Sequence, residues 1–282
     1  MTTPRPVSTV TLGGDLIVNR LGFGAMRITG DGIWGEPRDA AEAKRVLLRA
    51  VELGVQLIDT ADSYGPDVSE RLIGETLAPY RHGVVIATKG GLTRSGPSSW
   101  ERDGRPEHLR AAIDGSLRRL RVDRIDLYQL HAADPKVPFE ASVGTLAALQ
   151  REGKIRHIGL SNVSVAQLAA ARAIVPIVSV QNRYGLHDRG SDDVLDACTR
   201  EGIAFLPYFP LAAGKATVAT GVLKQIADAH GCKPGQVALA WLLARSPIMV
   251  PIPGTSKVAH LEENVASSDI VLTEQERRAL EA

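Results

Sequence analysis

Short β-prone runs recur along this chain, each followed by a longer stretch with helical spacing, and the alternation repeats eight times. A strand that feeds a helix cannot return to its neighbour through a tight turn, so it crosses over and lays the next strand parallel to the first. Eight such units are enough to close a sheet on itself, and the pattern predicts an α/β fold of the (β/α)₈ TIM-barrel kind. Strands are predicted at residues 21–25, 55–59, 84–88, 125–130, 155–159, 177–181, 204–208 and 248–252. Helices are predicted to start near Arg38, Val68, Pro106, Phe139, Ser164, Asp192, Val218 and Lys257. Pro106 suits a first helical position, because its missing N–H is not needed there and its φ is already near the helical value. Thr273 followed by Glu276 reads as a capping box and predicts an additional C-terminal helix. Ahead of the first barrel strand, residues 7–18 hold two β-prone pieces around Gly13-Gly14-Asp15, which predicts an N-terminal β-hairpin over the closed bottom of the barrel. Residues 90–104, rich in Gly, Ser and Arg, are predicted to be a loop inside the fold. With 282 residues, 44% of them hydrophobic, and no low-complexity linker, residues 1–282 are expected to form one barrel domain.

Charge narrows the choice of partner. The 33 basic and 32 acidic residues are interspersed and leave a net charge of +1, so no basic face for nucleic acid or anionic lipid is expected. No stretch approaches the ~18 to 20 apolar residues that span a bilayer, and residues 1–15 lack the apolar core of a signal peptide, which together imply a cytoplasmic protein. Cys198 and Cys232 are too few and too far apart for a disulfide framework, a metal site or a redox pair. A small-molecule partner remains.

In a (β/α)₈ barrel, catalytic groups sit at the C-terminal ends of the strands. Here strand two ends in Asp59, strand three is followed by Lys89, strand four by His131 and strand five by Ser161-Asn162; strand six ends in Gln181-Asn182 and strand seven in Tyr208. Any one of these has a plain structural reading, as an N-cap, a turn residue or a hydrogen-bonded core group. Six successive strand ends carrying polar groups are better explained by one shared pocket, since charges beside apolar runs are costly to bury without partners. Tyr64, five residues beyond Asp59, reaches the same rim. A tyrosine is a weak acid near its ordinary pKa of ~10, and a cation beside it stabilises the phenolate. Lys89 would supply that cation, Asp59 would hold Lys89 by an ion pair, and His131 would orient a substrate oxygen.

Five ordered segments resemble the aldo-keto reductase family. They are Gly54 through Gly65 with Asp59 and Tyr64, Ala87-Thr88-Lys89, Ile125 through His131, Ile158 through Asn162, and Ile252 through Asn264. The resemblance implies a carbonyl reductase in which a nicotinamide delivers hydride and Tyr64 a proton, with Asp59, Tyr64, Lys89 and His131 as the catalytic group. It implies that Ser161, Asn162 and Gln181 hold the nicotinamide carboxamide and that Tyr208 stacks on the ring. Thr255, Ser256 and Lys257 would meet a 2′-phosphate, and Glu263 and Asn264 the adenine, so the expected cofactor is NADPH, with NADH bound more weakly. Many relatives carry Lys at the position of Gly254 and Arg at that of His260; without the flat guanidinium a bidentate phosphate clamp is lost. Met26, Trp34, Trp100 and residues 209–215 are the expected lining of the pocket for a small aldehyde or ketone. Two alternatives stay open at this point: a regulatory barrel that binds NADPH without turnover, and a lyase in which Lys89 forms a Schiff base.

Overall fold

The computed structural model describes residues 8–211 and 221–281. An antiparallel hairpin comes first, β1 (Thr9–Leu12) with β2 (Leu16–Asn19). Its burial alternates with its sequence: Val10, Leu12, Leu16 and Val18 are covered, while Thr9, Thr11 and Ile17 face solvent. The covered four pack on Leu57, Val85, Leu127, Ala204 and Val250, so the hairpin plugs the floor of the barrel as predicted. The turn admits only glycine at Gly13, where φ is +61° and a Cβ would come within 2.2 Å of the His157 ring. Asp15 in the same turn pairs with Arg156 at 2.7 Å and His157 at 2.6 Å, which pins the hairpin to the barrel wall.

Seven strands follow in one parallel sheet, in the spatial order β3 (Phe23–Gly24), β4 (Leu57–Asp59), β5 (Val85–Gly90), β8 (Ile125–Leu130), β9 (Ile155–Ser161), β10 (Ile177–Gln181) and β11 (Ala204–Phe205). Between β5 and β8 in sequence, β6 (Leu92–Thr93) and β7 (Glu101–Arg102) make a short ribbon within the predicted 90–104 loop. Residues 248–253 close the ring. On one side Phe205 N donates to Ile248 O at 3.0 Å and Val250 N to Phe205 O at 2.8 Å; on the other Gly22 N donates to Pro251 O at 2.9 Å. Pro251 and Pro253 have no N–H to return, so this eighth strand joins its neighbours with few bonds and only one regular bridge, Phe205 to Met249. Gly24 and Gly254 let the two chains approach: a Cβ on Gly24 would meet Ile252 O at 2.7 Å, and one on Gly254 would meet Gly24 O at 2.6 Å.

Helices cover the outside. They are α1 (Ala40–Glu52), α2 (Val68–Leu77), α3 (Pro106–Leu120), α4 (Phe139–Arg151), α5 (Val165–Arg172), α6 (Asp192–Glu201), α7 (Gly221–Ala229), α8 (Pro234–Arg245), α9 (Val258–Ala266) and α10 (Glu274–Glu281). In α1 the buried residues Ala43, Val46, Leu47 and Ala50 recur at helical spacing, and each buried Val or Leu contributes ~1.5 to 3 kcal/mol. Asp39 caps α1 through Glu42 N, and Ser164 caps α5 in a reciprocal box with Gln167. The predicted Thr273–Glu276 box opens α10, with Thr273 N donating to Glu276 at 2.7 Å.

One expectation needs correcting. A single helical unit was expected between strands seven and eight from Val218, a start that lies outside the described residues. Two helices occupy that stretch, α7 and α8, separated at Gly231 (φ +61°) and restarted by Pro234 in the first turn. The predicted strand 204–208 also ends early, at Phe205, with Tyr208 reaching β10's continuation through a bridge to Arg183.

Candidate active site

Strand parity gathers the polar groups. Residues two apart share a face, so Leu57 and Asp59, Ala87 and Lys89, and Leu127 and Gln129 all point into the barrel. The parallel register sets Asp59 opposite Ala87 and Lys89 opposite Gln129. Lys89 is wholly buried; its Nζ donates to Asp59 Oδ2 at 2.7 Å, to Thr60 O at 2.9 Å and to Tyr64 Oη at 3.4 Å. Asp59 Oδ1 accepts from Gln181 Nε2 at 2.8 Å and Gln129 Nε2 at 3.2 Å. Both charges are thus paired and hydrogen-bonded, the condition on which a barrel interior tolerates them.

Protonation states follow from these surroundings. Burial pulls the Lys89 ammonium down, but Asp59 and Tyr64 together more than offset it, so its pKa is raised and it stays a cation. For Tyr64 burial wins: its pKa is raised above the ordinary phenol value, with Lys89 the chief opposing influence. Lys89 thus acts on Tyr64 in the expected direction, favouring the phenolate, but burial outweighs it. Burial, aided by the Lys89 charge, holds His131 well below the usual imidazole value, so it is neutral at pH 7. Its Nδ1 lies 3.4 Å from Ser63 Oγ and its ring packs edge-on to Tyr64 with centroids 5.9 Å apart.

On the far side of this group the Asn162 backbone turns into the left-handed region (φ +56°), which Asn tolerates. Asn162 Nδ2 donates to His131 O at 3.0 Å, and Asn162 Oδ1 accepts from Tyr208 Oη at 2.8 Å. Asn182 instead closes on the Val163 backbone with bonds of 3.1 and 2.8 Å, a loop clamp.

A cavity of about 1020 Å³ runs across the C-terminal face of the barrel, large beside the ~300 to 1,000 Å³ of ordinary small-molecule sites. One end is walled by Asp59, Tyr64, His131, Met26 and Trp100, the middle by Ser161, Asn162, Gln181 and Tyr208, and the other end by Thr255, Ser256, Glu263 and Asn264. Catalytic-type carboxylate, phenol and imidazole groups therefore share one cleft with amide and hydroxyl side chains. Two expected residues fall elsewhere. Lys257 is exposed and near Glu42 rather than on the cavity wall, and Trp34 does not line the cavity but has the Arg94 guanidinium 5.7 Å from its ring. Of residues 209–215, Phe209, Pro210 and Leu211 line the cavity, and 212–215 lie outside the described residues.

Three further groups join the site in the folded chain. Gln129 supports Asp59, and strand parity with His131 is the signal that pointed to it. Arg27 and Lys233 both line the cavity; Lys233 pairs with Glu263 from the start of α8, the helix that was not anticipated. Arg27 follows strand one, where a cation on a loop at the barrel mouth carries meaning once the barrel is assumed.

Comparison with known proteins decides the ancestry of this arrangement. The model of the aldo/keto reductase family matches residues 20–282. The chain belongs to that family. An uncharacterised oxidoreductase of Schizosaccharomyces pombe is 50% identical over 262 residues, 93% of this chain and 85% of that protein. Pyridoxine 4-dehydrogenase of Escherichia coli is 44% identical over 274 residues, 95% of each chain. Among solved structures, a glycerol dehydrogenase from Gluconobacter oxydans superposes with a TM-score of 0.89 at 28% identity, covering 98% of this chain and 94% of the other. An aldo-keto reductase from Klebsiella pneumoniae in complex with NADPH gives 0.84 at 26% identity, covering 98% and 94%. This aldo/keto reductase thus has oxidoreductase relatives and structural neighbours that carry NADP cofactors. No helix among the described residues is long and apolar enough to cross a membrane.

Proposed function

We propose that this aldo/keto reductase reduces a small aldehyde or ketone to the alcohol with NADPH. The observation that carries the reading is the buried chain Asp59–Lys89–Tyr64, with contacts of 2.7 and 3.4 Å, opening beside a neutral His131 onto one end of the long cavity. NADPH bound along that cavity would supply the hydride. Tyr64 holds the proton that a carbonyl oxygen needs as it gains negative charge, and its raised pKa keeps that proton in place at neutral pH. Lys89 stabilises the phenolate left behind, and Asp59 keeps Lys89 aimed. A Ser63 Oγ proton on His131 Nδ1 leaves the other ring nitrogen to donate to the same carbonyl oxygen. Ser161, Asn162 and Gln181 are the groups for the carboxamide, with Tyr208 against the ring. Arg27, Lys233, Thr255 and Ser256 meet the phosphates, and Glu263 and Asn264 the adenine, in one barrel domain spanning residues 1–282.

The ion pair to Asp59 keeps Lys89 protonated and so weighs against a Schiff-base lyase. The relation to pyridoxine 4-dehydrogenase makes pyridoxal, an aromatic aldehyde, the first substrate to try. The test is NADPH oxidation followed with pyridoxal and with 4-nitrobenzaldehyde. Tight NADPH binding with no oxidation above background for either aldehyde would favour a regulatory barrel and refute this reading.

A further inference from the structure

Arg94 lies near the cavity without lining it. It leaves β6 on the loop after β5, and its guanidinium bonds four backbone carbonyls. Nη1 donates to Ile33 O at 3.0 Å and Ser63 O at 3.2 Å; Nη2 donates to Gly32 O at 3.0 Å and Gly96 O at 3.3 Å. Those acceptors belong to three different loops, after barrel strands one, two and three. The same guanidinium lies 3.8 Å from the Trp100 ring centroid and 5.7 Å from that of Trp34. Arg94 forms no carboxylate ion pair among the described residues. An arginine that spends its donors on carbonyls and its flat face on indoles acts as a clasp, a task that lysine's single ammonium cannot copy.

Two features of the clasped loops tie it to the site. Ser63 O is the carbonyl immediately before Tyr64, and Trp100 lies edge-on to both Tyr64 and His131, with centroids 6.4 Å from each. Trp100 is 39% exposed and walls the cavity at the proposed reacting end. The second feature is strain. Ile33, which also lines the cavity, holds φ at +58°, a region that a β-branched residue adopts only when its surroundings force it. The bond from Arg94 to Ile33 O is one of the forces present. Trp100 on an exposed loop would otherwise sample many positions.

We infer that Arg94 is a positioning residue that locks Trp100 and Ile33 into the wall of the substrate end, and so sets how tightly an aromatic carbonyl compound is held without contacting it. The inference rests on the proposed reductase reading for the location of that end. Its readout does not require turnover.

The test compares the wild type with Arg94→Lys, Arg94→Ala and Trp100→Phe, each loaded with NADPH, and titrates 4-nitrobenzyl alcohol as a dead-end ligand. Arg94→Lys should loosen the alcohol by ~10-fold and raise KM for 4-nitrobenzaldehyde by a similar factor, because small misplacements of positioning groups carry effects of that size. The NADPH dissociation constant should stay within ~2-fold, since Arg94 is off the cofactor end, and kcat should fall by less than ~3-fold. Trp100→Phe keeps the three-loop clasp and should loosen the alcohol comparably, so the test survives if Arg94→Ala fails to fold. Unchanged alcohol binding in Arg94→Lys or in Trp100→Phe overturns the inference, as does parallel loss of NADPH binding, which would mark a general defect. A wild type that holds the alcohol but turns over no aldehyde would sink the proposed function and leave the Arg94 comparison decisive on its own.

Discussion

Replacing Lys89 with Met separates the two tasks assigned to the buried ion pair, stability and catalysis. The side chains are close in volume, so the change deletes a charge with little cavity. Asp59 would keep its bonds from Gln181 at 2.8 Å and Gln129 at 3.2 Å but lose the cation 2.7 Å from Oδ2, in a site where it is only 2% exposed. Breaking one side of a buried pair costs ~3 to 5 kcal/mol, because the remaining charge is uncompensated. At roughly 2 °C per kcal/mol for a chain of this length, the melting point should fall on the order of 6 to 10 °C. Adding Asp59→Asn removes the stranded charge, and Asn Oδ1 can still accept from both glutamines. The double variant should therefore recover most of the lost stability. Activity should not recover: Tyr64 would have neither the Lys89 donor nor its charge, and turnover should stay ~10² to 10⁴ below wild type. Thermal denaturation without cofactor and single-turnover NADPH oxidation read the two quantities independently. A Lys89→Met protein as stable as wild type, or a double variant with restored turnover, would refute the assignment of this pair.

Tyr64→Phe should lower turnover by ~10² to 10⁴ while leaving NADPH affinity nearly unchanged, measured by fluorescence titration, because it removes one hydroxyl and little packing. A proton donor works below its own pKa, and burial raises that of Tyr64, so reduction should stay level through neutral pH and fall only above ~10. His131 is depressed from its usual value, so its protonation should not cut the rate until pH drops below ~6.5; a rate that titrates between pH 7 and 9 would mean that another group limits it. Lys233→Ala should weaken NADPH more than Lys257→Ala does, by ~10-fold or more, since Lys233 lines the cavity and its loss also frees the Glu263 carboxylate there. Equal dissociation constants for the two variants would count against the phosphate contact.

The barrel was legible because its signal is periodic. Most strands had a short β-branched run and several helices a start signal, as at Pro106 and at Thr273 with Glu276. The helix that escaped notice, α8, has Val237 through Leu242 all buried, so it lacks the polar face that gives helical spacing its contrast, and only Pro234 announced it. The catalytic group was legible because charges at strand ends are conspicuous. Gln129 was not, being an uncharged side chain within its strand, between Tyr128 and Leu130, rather than a charge at the strand end. Lys257 shows a different limit: it sits just before α9 as expected, but its position beside Glu42 rather than over the cavity depends on the packing of α9 against α1. Sequence order placed Trp34 at the mouth, while its contact with Arg94, 60 residues further along the chain, could not be read from that order.

The seam between the first and last barrel strands also bears on the order in which the molecule is made. Residue 22 bonds residue 251, and the cavity takes Gly24, Met26 and Arg27 from one bank and Gly254, Thr255 and Ser256 from the other. A chain still emerging from synthesis would hold Asp59, Tyr64, Lys89 and His131 long before the second bank exists. Completing the cleft therefore needs a contact with nearly the greatest loop-closure cost in the chain. Whatever molecule lies between the two banks stabilises the closed ring by mass action, so a filled cleft and a sealed barrel reinforce each other.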